Sequence, residues 1–425
     1  MTLVASDFIR SRLVLPVAIF GGGVSGSGAR SLAGAVGAEA VVYDSKGEPF
    51  TEEASTRHGL AVYSPGFPPD HPWLAIARAA GCLCLPELDF AALFWRGRII
   101  AVTGTNGKTT LTEFIAHALR STGRQAHAAG NVGFPFARLA AESDGGEPGT
   151  AAVCEVSSFQ AEELRHFRAD SAIWTNFAED HLERHPGMEA YFSAKWNLLE
   201  RTEAGHVFAG CSVRAHAERY GRSLPGIVWV PTENQMADLR LAGTVFAEYP
   251  QRENFLLASA WWRSEGLPES ALYAAARSFQ LGRHRLSRVG QLEGVTYWND
   301  SKATNFHAVE AALAGFRRPV HLIAGGKSKG GDIAAFVRRI SPRVRHAYLI
   351  GETRAEMAAA FTTEGVPHGE FASIEEAVAA AGHSGRLGDH VVLSPGFASF
   401  DLFRNYEDRG ERFERAVSSL QTVRT

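Results

Sequence analysis

Short apolar runs recur along the chain, and most of them stop at glycine, serine or asparagine. Val14 to Phe20, Ala40 to Tyr43, Leu60 to Tyr63, Arg98 to Val102, Gln125 to Ala129, Ala151 to Val156 and Ser171 to Thr175 read as strands of this kind. A continuous apolar run bounded by turn residues suits a strand buried on both faces. Val207 to Phe208 and Ile227 to Val230 are weaker versions, and Val320 to Ala324, His346 to Ile350 and Val391 to Leu393 are clear ones. Between them the apolar period lengthens to that of a helix. Examples are Ala29 to Val36, Trp73 to Ala80, Glu87 to Trp95, Leu111 to Leu119, Ala190 to Glu200, Asn254 to Ser264, Glu269 to Phe279, Ala308 to Leu313 and Thr353 to Phe361. Ser287 to Trp298 reads as a hairpin. Strand and helix in alternation predict α/β layering with functional loops at the carboxyl ends of the strands. Three units are expected: a Rossmann-like N-terminal domain over 1–96, a central P-loop-type parallel sheet over 97–281 and a Rossmann-like C-terminal domain over 282–425, with Arg96-Gly97 as the first hinge.

Composition narrows the class. At 425 residues, 45% hydrophobic and 21% charged, the chain is long enough for several cores and ordinary for a soluble protein. A formal charge of -3 advertises no nucleic-acid surface. Cys82, Cys84, Cys154 and Cys211 have neither zinc spacing nor a paired pattern, so a reducing compartment is expected. Leu13 to Phe20 imitates a secretory apolar region, but it contains Pro16 and runs into Gly21-Gly22-Gly23. No apolar run approaches a membrane span. A cytoplasmic protein with no membrane partner is expected.

The candidate chemistry sits where apolar runs end in small residues. Gly104-Thr105-Asn106-Gly107-Lys108-Thr109-Thr110 follows one strand run and opens a helix run. Its amides and the helix N-terminus would face an anion, Lys108 would reach terminal phosphates, and Thr109 or Thr110 could ligate magnesium. The general P-loop pattern wants a glycine where Val102 stands, so this loop is a variant. Gly21 to Gly28 with Asp44 at the next strand end imitates a dinucleotide turn, and Asp44 either holds a ribose hydroxyl or caps a turn. Glu155 ends a buried strand, where a nucleotide magnesium site places a carboxylate and where a capping glutamate would also sit. Lys195 lies among apolar helix neighbours, and by itself reads as a lysine lying along an apolar surface.

Five blocks in order resemble the Mur ligase family, ATP-dependent amide-bond-forming enzymes of peptidoglycan synthesis. They are Gly104 to Thr109 (G-T-N-G-K-T), Glu155 to Gln160 (E-V-S-S-F-Q), Asp180 to His185 with Ala194-Lys195, Asn299 to Asn305 (N-D-S-K-A-T-N) and Ser394 to Asp401 (S-P-G-F-A-S-F-D). The last two resemble most closely the blocks of the glutamate-adding member. The resemblance implies ligation of D-glutamate to UDP-N-acetylmuramoyl-L-alanine through an acyl phosphate, by a monomer using ATP and two Mg2+ sites. It implies catalytic roles for Lys108, His181 and Lys195, with Lys195 carbamylated. Metals would fall to Thr109, Glu155, His181 and Lys195. ATP would be bound by Gly104, Thr105, Asn106, Gly107, Lys108, Thr109, Thr110, Asn254, Arg285, Asp300 and Lys302. Ser25, Asp44, Ser45, Ser64, Gly66 and Asn131 would hold the UDP substrate, and Thr304, Lys329, Ser399 and Tyr406 the glutamate. Three substrates at domain junctions imply closure about a hinge near Phe279 to Arg283.

The chain departs from the family pattern in places. The segment from Asp44 to Ser64 is short by a strand, Gly396-Phe397 replaces Ala-Cys, Tyr406 replaces phenylalanine, and Glu253-Asn254-x-x-Leu257 replaces H-N-x-x-N, which alters the adenine side. A folylpolyglutamate- or cyanophycin-type ligase would share the phosphate loop and the Lys195 region but not the terminal block. An oxidoreductase built on Gly21 to Gly28 would leave Gly104 to Thr109 unexplained. A non-catalytic nucleotide-binding regulator would have no need of Lys108, Glu155, His181, Lys195 and Lys302 together.

Overall fold

The structure, a computed structural model, describes residues 7–131, 133–233 and 237–423. Val132 of the predicted Gly130–Gly133 loop lies outside the described residues. Two compact units are present. The first comprises Met1–Phe177, Glu189–Asn234 and Glu253–Ser278; the second comprises Ala178–Met188, Gln235–Arg252 and Phe279–Thr425.

The first unit carries two parallel sheets. Strands β1 (Val17–Phe20), β2 (Ala40–Tyr43), β3 (Leu60–Tyr63) and β4 (Leu83–Pro86) pair in the order β2-β1-β3-β4. Between β2 and β3 there is only the short helix Glu52–Ser55, which accounts for the brevity of that segment. Chain order reverses between β1 and β3, which opens a crevice at their carboxyl ends. Strands β5 (Arg98–Thr103), β6 (Ala126–Gly130), β7 (Ala151–Glu155), β8 (Ser171–Trp174), β9 (Val207–Ala209) and β10 (Ile227–Trp229) pair in the order β10-β9-β8-β5-β7-β6. Here β5 lies between β7 and β8, and the phosphate loop leaves its carboxyl end. Strands β7 and β8, and β5 after Arg98, are buried from end to end, so they read as apolar runs rather than as alternation.

The second unit carries one sheet: β11 (Ser287–Leu292), β12 (Val295–Asn299), β13 (Val320–Ala324), β14 (Val344–Leu349), β15 (His368–Glu370) and β16 (His390–Leu393), in the order β11-β12-β16-β13-β14-β15. Only the β11–β12 hairpin is antiparallel. Val320, Leu322 and Ala324 join one core and Ile323 joins the other, as alternation along a covered strand requires. The loops after β12, β13 and β16 leave neighbouring strand ends, so three separate sequence blocks are brought together. Among the described residues no helix is long and apolar enough to cross a membrane.

Two buried carboxylates tie the small sheet of the first unit to the large one. Asp89 is fully buried and accepts the backbone N–H groups of Arg165, His166 and Phe167 at 2.9, 3.1 and 2.8 Å. Glu87 accepts Ala137 N–H at 2.6 Å in the first turn of the helix Phe136–Glu142, and burial pushes its carboxyl up to about 7. Removing the Asp89 carboxylate would strand three donors at once. We expect Asp89→Ala to lower the unfolding free energy by about 3 kcal/mol, at roughly 1 kcal/mol or more per orphaned donor. A urea titration checks this, and a loss below about 0.5 kcal/mol, the range of ordinary surface changes, would refute it.

Candidate active site

In the first unit the phosphate loop is fixed from below. Gly104 has φ 146° and Gly107 φ 82°, both left-handed values. A Cβ on Gly104 would overlap the Thr175 hydroxyl, and one on Gly107 would lie 2.6 Å from Asn254 Oδ1. Thr175 Oγ1 donates to Asn106 O at 2.6 Å, Asn106 N–H donates to Asn176 Oδ1 at 2.9 Å, and Thr105 N–H donates to Asn176 O at 3.0 Å. The carboxyl end of β8 therefore holds the loop that leaves β5. The helix Lys108–Ser121 starts without a side-chain cap and without an acid in its first turn, so its N-terminus is suited to an anion. Thr109 and Thr110 lie buried in that first turn.

Lys108 Nζ folds back to donate to Gly104 O at 2.9 Å and Thr105 O at 2.8 Å. Lys195, 1% exposed, also donates to Gly104 O at 2.9 Å and lies 5.1 Å from the centre of the Tyr191 ring. The helix Met188–Leu199 thus aims a buried amine at the loop, so Lys195 is not a surface lysine. Glu155, 2% exposed, accepts Asn131 Nδ2 at 3.0 Å through Oε1, while its buried Oε2 has no hydrogen-bond partner. A half-satisfied buried carboxylate beside a phosphate loop fits a divalent cation that would complete it. Asn131 orients that carboxylate. Among the described residues no cluster of three or more His, Cys, Asp and Glu forms a dedicated metal cage, and Mg2+ needs only one or two carboxylates plus phosphate oxygens.

Ser25, Asp44, Ser45, Ser64 and Gly66 lie on the segments that follow β1, β2 and β3 of the small sheet. Ser25 lies in the first turn of the helix Val24–Ala35, which has no side-chain cap and no acid there. Asp44 accepts Gly22 N–H at 2.7 Å and Lys46 N–H at 3.1 Å, so it does cap the glycine turn, and these bonds hold its carboxyl below the usual range. Ser45 is its exposed neighbour. Ser64 N–H donates to Phe20 O at 3.2 Å, its buried Oγ has no partner, and Gly66 is exposed in the following turn.

The second unit holds the rest. Asp300 Oδ1 accepts Leu286 N–H at 3.1 Å and Oδ2 accepts the Ser394 hydroxyl at 2.9 Å; burial pushes its carboxyl up to about 7 against the pull of those bonds and of Arg285 and Arg409. Arg285 stands between His284 (φ 65°) and Leu286 (φ 50°). Lys302 Nζ lies 5.2 Å from the centre of the Tyr406 ring. Asp180, His181, Thr304, Asn305, Phe306, Lys329, Gly396 and Phe397 line one small pocket. In it Lys329 Nζ is 3.4 Å from Asp180 Oδ1, 3.5 Å from Thr304 Oγ1, and Asn305 Nδ2 donates to Asp180 Oδ2 at 2.9 Å. His181 takes φ 57° and its Nδ1 lies 3.3 Å from Glu183. Ser399, 2% exposed, and Tyr406 do not line this pocket.

Sequence reasoning passed over Arg409. Fully buried, it donates to Ser301 Oγ, Ser301 O and Phe397 O at 3.0, 2.8 and 3.1 Å, and so pins the Asn299–Asn305 segment to the Ser394–Asp401 segment. Burial pushes its guanidinium down to about 9. Nothing in its local sequence, a charged helix start, distinguishes it from surface arginines.

Comparisons with known proteins give one answer. The Mur ligase middle domain matches residues 102–235, and the Mur ligase glutamate ligase domain matches residues 284–397. UDP-N-acetylmuramoylalanine--D-glutamate ligase of Trichlorobacter lovleyi is 34% identical over 385 residues, covering 86% of this chain and 85% of that protein. The protein of the same name from Chlorobaculum parvum is 33% identical over 458 residues, covering 95% and 97%. Among solved structures, a pseudomurein peptide ligase type C from Methanothermus fervidus has TM-score 0.61 at 14% identity, covering 96% of this chain and 100% of its own. MurF ligase from Thermotoga maritima in complex with ADP has TM-score 0.58 at 15% identity, covering 84% and 95%. At such identities the structures speak for the fold alone.

Asp300 supplies a pH test. Its folded carboxyl titrates near 7, above the ordinary 3.8, so the folded state binds the extra proton between those values. The stability this contributes is full below the unfolded value and is lost as pH rises through about 7. We expect wild type to lose stability relative to Asp300→Asn by up to about 1.4 kcal/mol per pH unit over that window. Parallel urea titrations across the window read the difference; parallel profiles would refute the raised value.

Proposed function

The chain belongs to the Mur ligase family, and we propose that it joins D-glutamate to UDP-N-acetylmuramoyl-L-alanine at the expense of ATP. The observation that carries this is the pairing of the uncapped phosphate loop with the half-satisfied Glu155 carboxylate, together with relatives of that name along most of the chain. The chemistry explains the residues. Oxide is a poor leaving group, so the substrate carboxylate must first be activated. A carboxylate oxygen attacks the terminal phosphorus, the bond to the bridging oxygen breaks, and ADP leaves an acyl phosphate. The glutamate nitrogen, having shed a proton, attacks the carbonyl carbon, and phosphate departs with the C–O pair.

The first step brings two anions together, so positive charge is needed between them. Lys108 and the amides of Gly104 to Thr110 supply it. Magnesium would be held by Thr109 and Glu155 with phosphate oxygens, and by His181 and Lys195 at a second site, and would add charge neutralisation when bound. Residues 1–96 would take the UDP group at Ser25, Asp44, Ser45, Ser64 and Gly66, with Asn131 near the muramoyl part. Residues 97–281 would take ATP, with Asn254 on its base side. Residues 282–425 would contribute Arg285, Asp300 and Lys302 to the nucleotide and Thr304, Lys329, Ser399 and Tyr406 to glutamate. The dependence on ATP and a UDP-linked precursor suits a cytoplasmic reaction.

Carbamylation of Lys195 has an electrostatic rationale. Lys108 and Lys195 Nζ each lie 2.9 Å from Gly104 O, so the two ammoniums are at most 5.8 Å apart. At an effective dielectric of about 20 that costs roughly 3 kcal/mol or more. Addition of CO2 to the neutral Lys195 amine, with loss of a proton, replaces the second cation by a carboxylate.

The decisive experiment is phosphate release from ATP with UDP-N-acetylmuramoyl-L-alanine, with and without D-glutamate. Release that requires glutamate is expected, and glutamate-independent or absent release would remove the reading. For Lys195, protein equilibrated with 13C-bicarbonate is expected to show a carbamate carbon resonance that Lys195→Ala lacks. Identical spectra would leave Lys195 an ordinary amine.

A further inference from the structure

One wall of the small pocket in the second unit is aromatic and rigid. Phe306, half-buried, lies face to face with Phe336 at 4.2 Å between ring centres and 8° between planes. Phe397, 2% exposed, meets Phe306 edge-on at 5.4 Å and Phe336 at 6.4 Å. On another side the Gly331 backbone (φ 97°) closes on the same ring: a Cβ there would lie 2.9 Å from Phe306 Cε2 and 2.8 Å from Glu179 Oε1. Phe336 is itself fully buried in the core of the sheet. Phe306 is therefore packed against Phe336, Phe397 and the Gly331 backbone.

Lys329 and Thr304 line the same pocket and are the cation and hydroxyl that would receive a carboxylate. On the reading proposed above, an acidic amino acid enters with its side-chain carboxylate on Lys329, and the methylenes between its two polar ends must fit the space that the aromatic rings leave. We infer that Phe306 and Phe397 set the chain length of the amino acid accepted, making them specificity-determining residues for a two-methylene acidic side chain. A rigid apolar wall rejects an extra methylene more firmly than a flexible one, because the clash cannot be relieved by repacking. One methylene in such a pocket is worth about tenfold or more in kcat/KM.

The test compares D-glutamate with D-2-aminoadipate, its homologue longer by one methylene, in the full-length enzyme. Wild type is expected to favour glutamate by at least about tenfold in kcat/KM. Phe306→Ala combined with Phe397→Ala is expected to bring that ratio down about tenfold, with KM for ATP unchanged. The milder Phe397→Leu, which keeps apolar volume in the core, is expected to shift the ratio in the same direction and serves if the double variant does not fold. A ratio unmoved in the folded variants, or a wild type that takes both amino acids equally, overturns the inference. A wild type that turns over neither would instead count against the ligase reading itself.

Discussion

The bend at Gly104 is the constraint on which the nucleotide half of this protein depends. A backbone at φ 146° with the Thr175 hydroxyl where a side chain would start admits no other residue. The bend turns the chain out of β5 so that the next amides and the start of the helix Lys108–Ser121 point the same way. It also exposes the Gly104 carbonyl, to which two lysines donate. The support comes from neighbouring strand ends: Thr175 and Asn176 follow β8, and Glu155 ends β7. A sheet with β5 between them makes a crevice at its reversal of order, and the loop fills it. The missing glycine at Val102 has its reason here, because Val102 is fully buried strand, paired with Glu155 and Ile173.

The other half is organised by buried polar groups rather than by a single bend. Asn299, fully buried, donates to Gly410 O at 3.0 Å and Glu414 Oε1 at 2.9 Å and accepts Ser301 N–H at 3.1 Å. With Arg409 it locks the loops after β12 and β16 onto the helix Tyr406–Val423. Such groups are costly to bury and tolerable only when their hydrogen bonds are made. What they provide is position: these hydrogen bonds, with Ala303 and Phe397 in the core, fix the loops that carry Lys302, Thr304 and Ser399.

Much of this was legible in the chain itself. The strands that end in functional loops are apolar runs with abrupt polar stops, so β2, β3 and β13 coincide with their predicted ranges. Elements without that contrast were missed. β4 has four residues and ends in Pro86, β15 is His-Gly-Glu, and the last helix, Tyr406–Val423, is so rich in charge that its buried stripe of Phe413, Ala416 and Val417 is hard to see. The loop Gly104 to Thr110 was legible because its residues are contiguous and open a helix. The Asp180–Lys329 pair and the Arg409 clamp were not, because they join segments about a hundred or more residues apart and exist only once the sheet has formed.

The charge inventory closes the physical picture. Every expected substrate is an anion, yet the chain carries a net charge of -3. Net charge therefore offers no overall attraction, and on the proposed function capture relies on local donors. The sequence holds six lysines against thirty-seven arginines: Lys46, Lys108, Lys195, Lys302, Lys327 and Lys329. Five follow directly from carboxyl ends of strands, and the sixth, Lys195, directs its amine at the loop after β5. Arginine, with its fixed planar fork, does the structural pairing, as in the bond between Arg98 and Glu265 and in the Arg409 clamp. Lysine is left where a compact point charge, or an amine able to change its chemistry, is wanted, and a guanidinium could serve as neither.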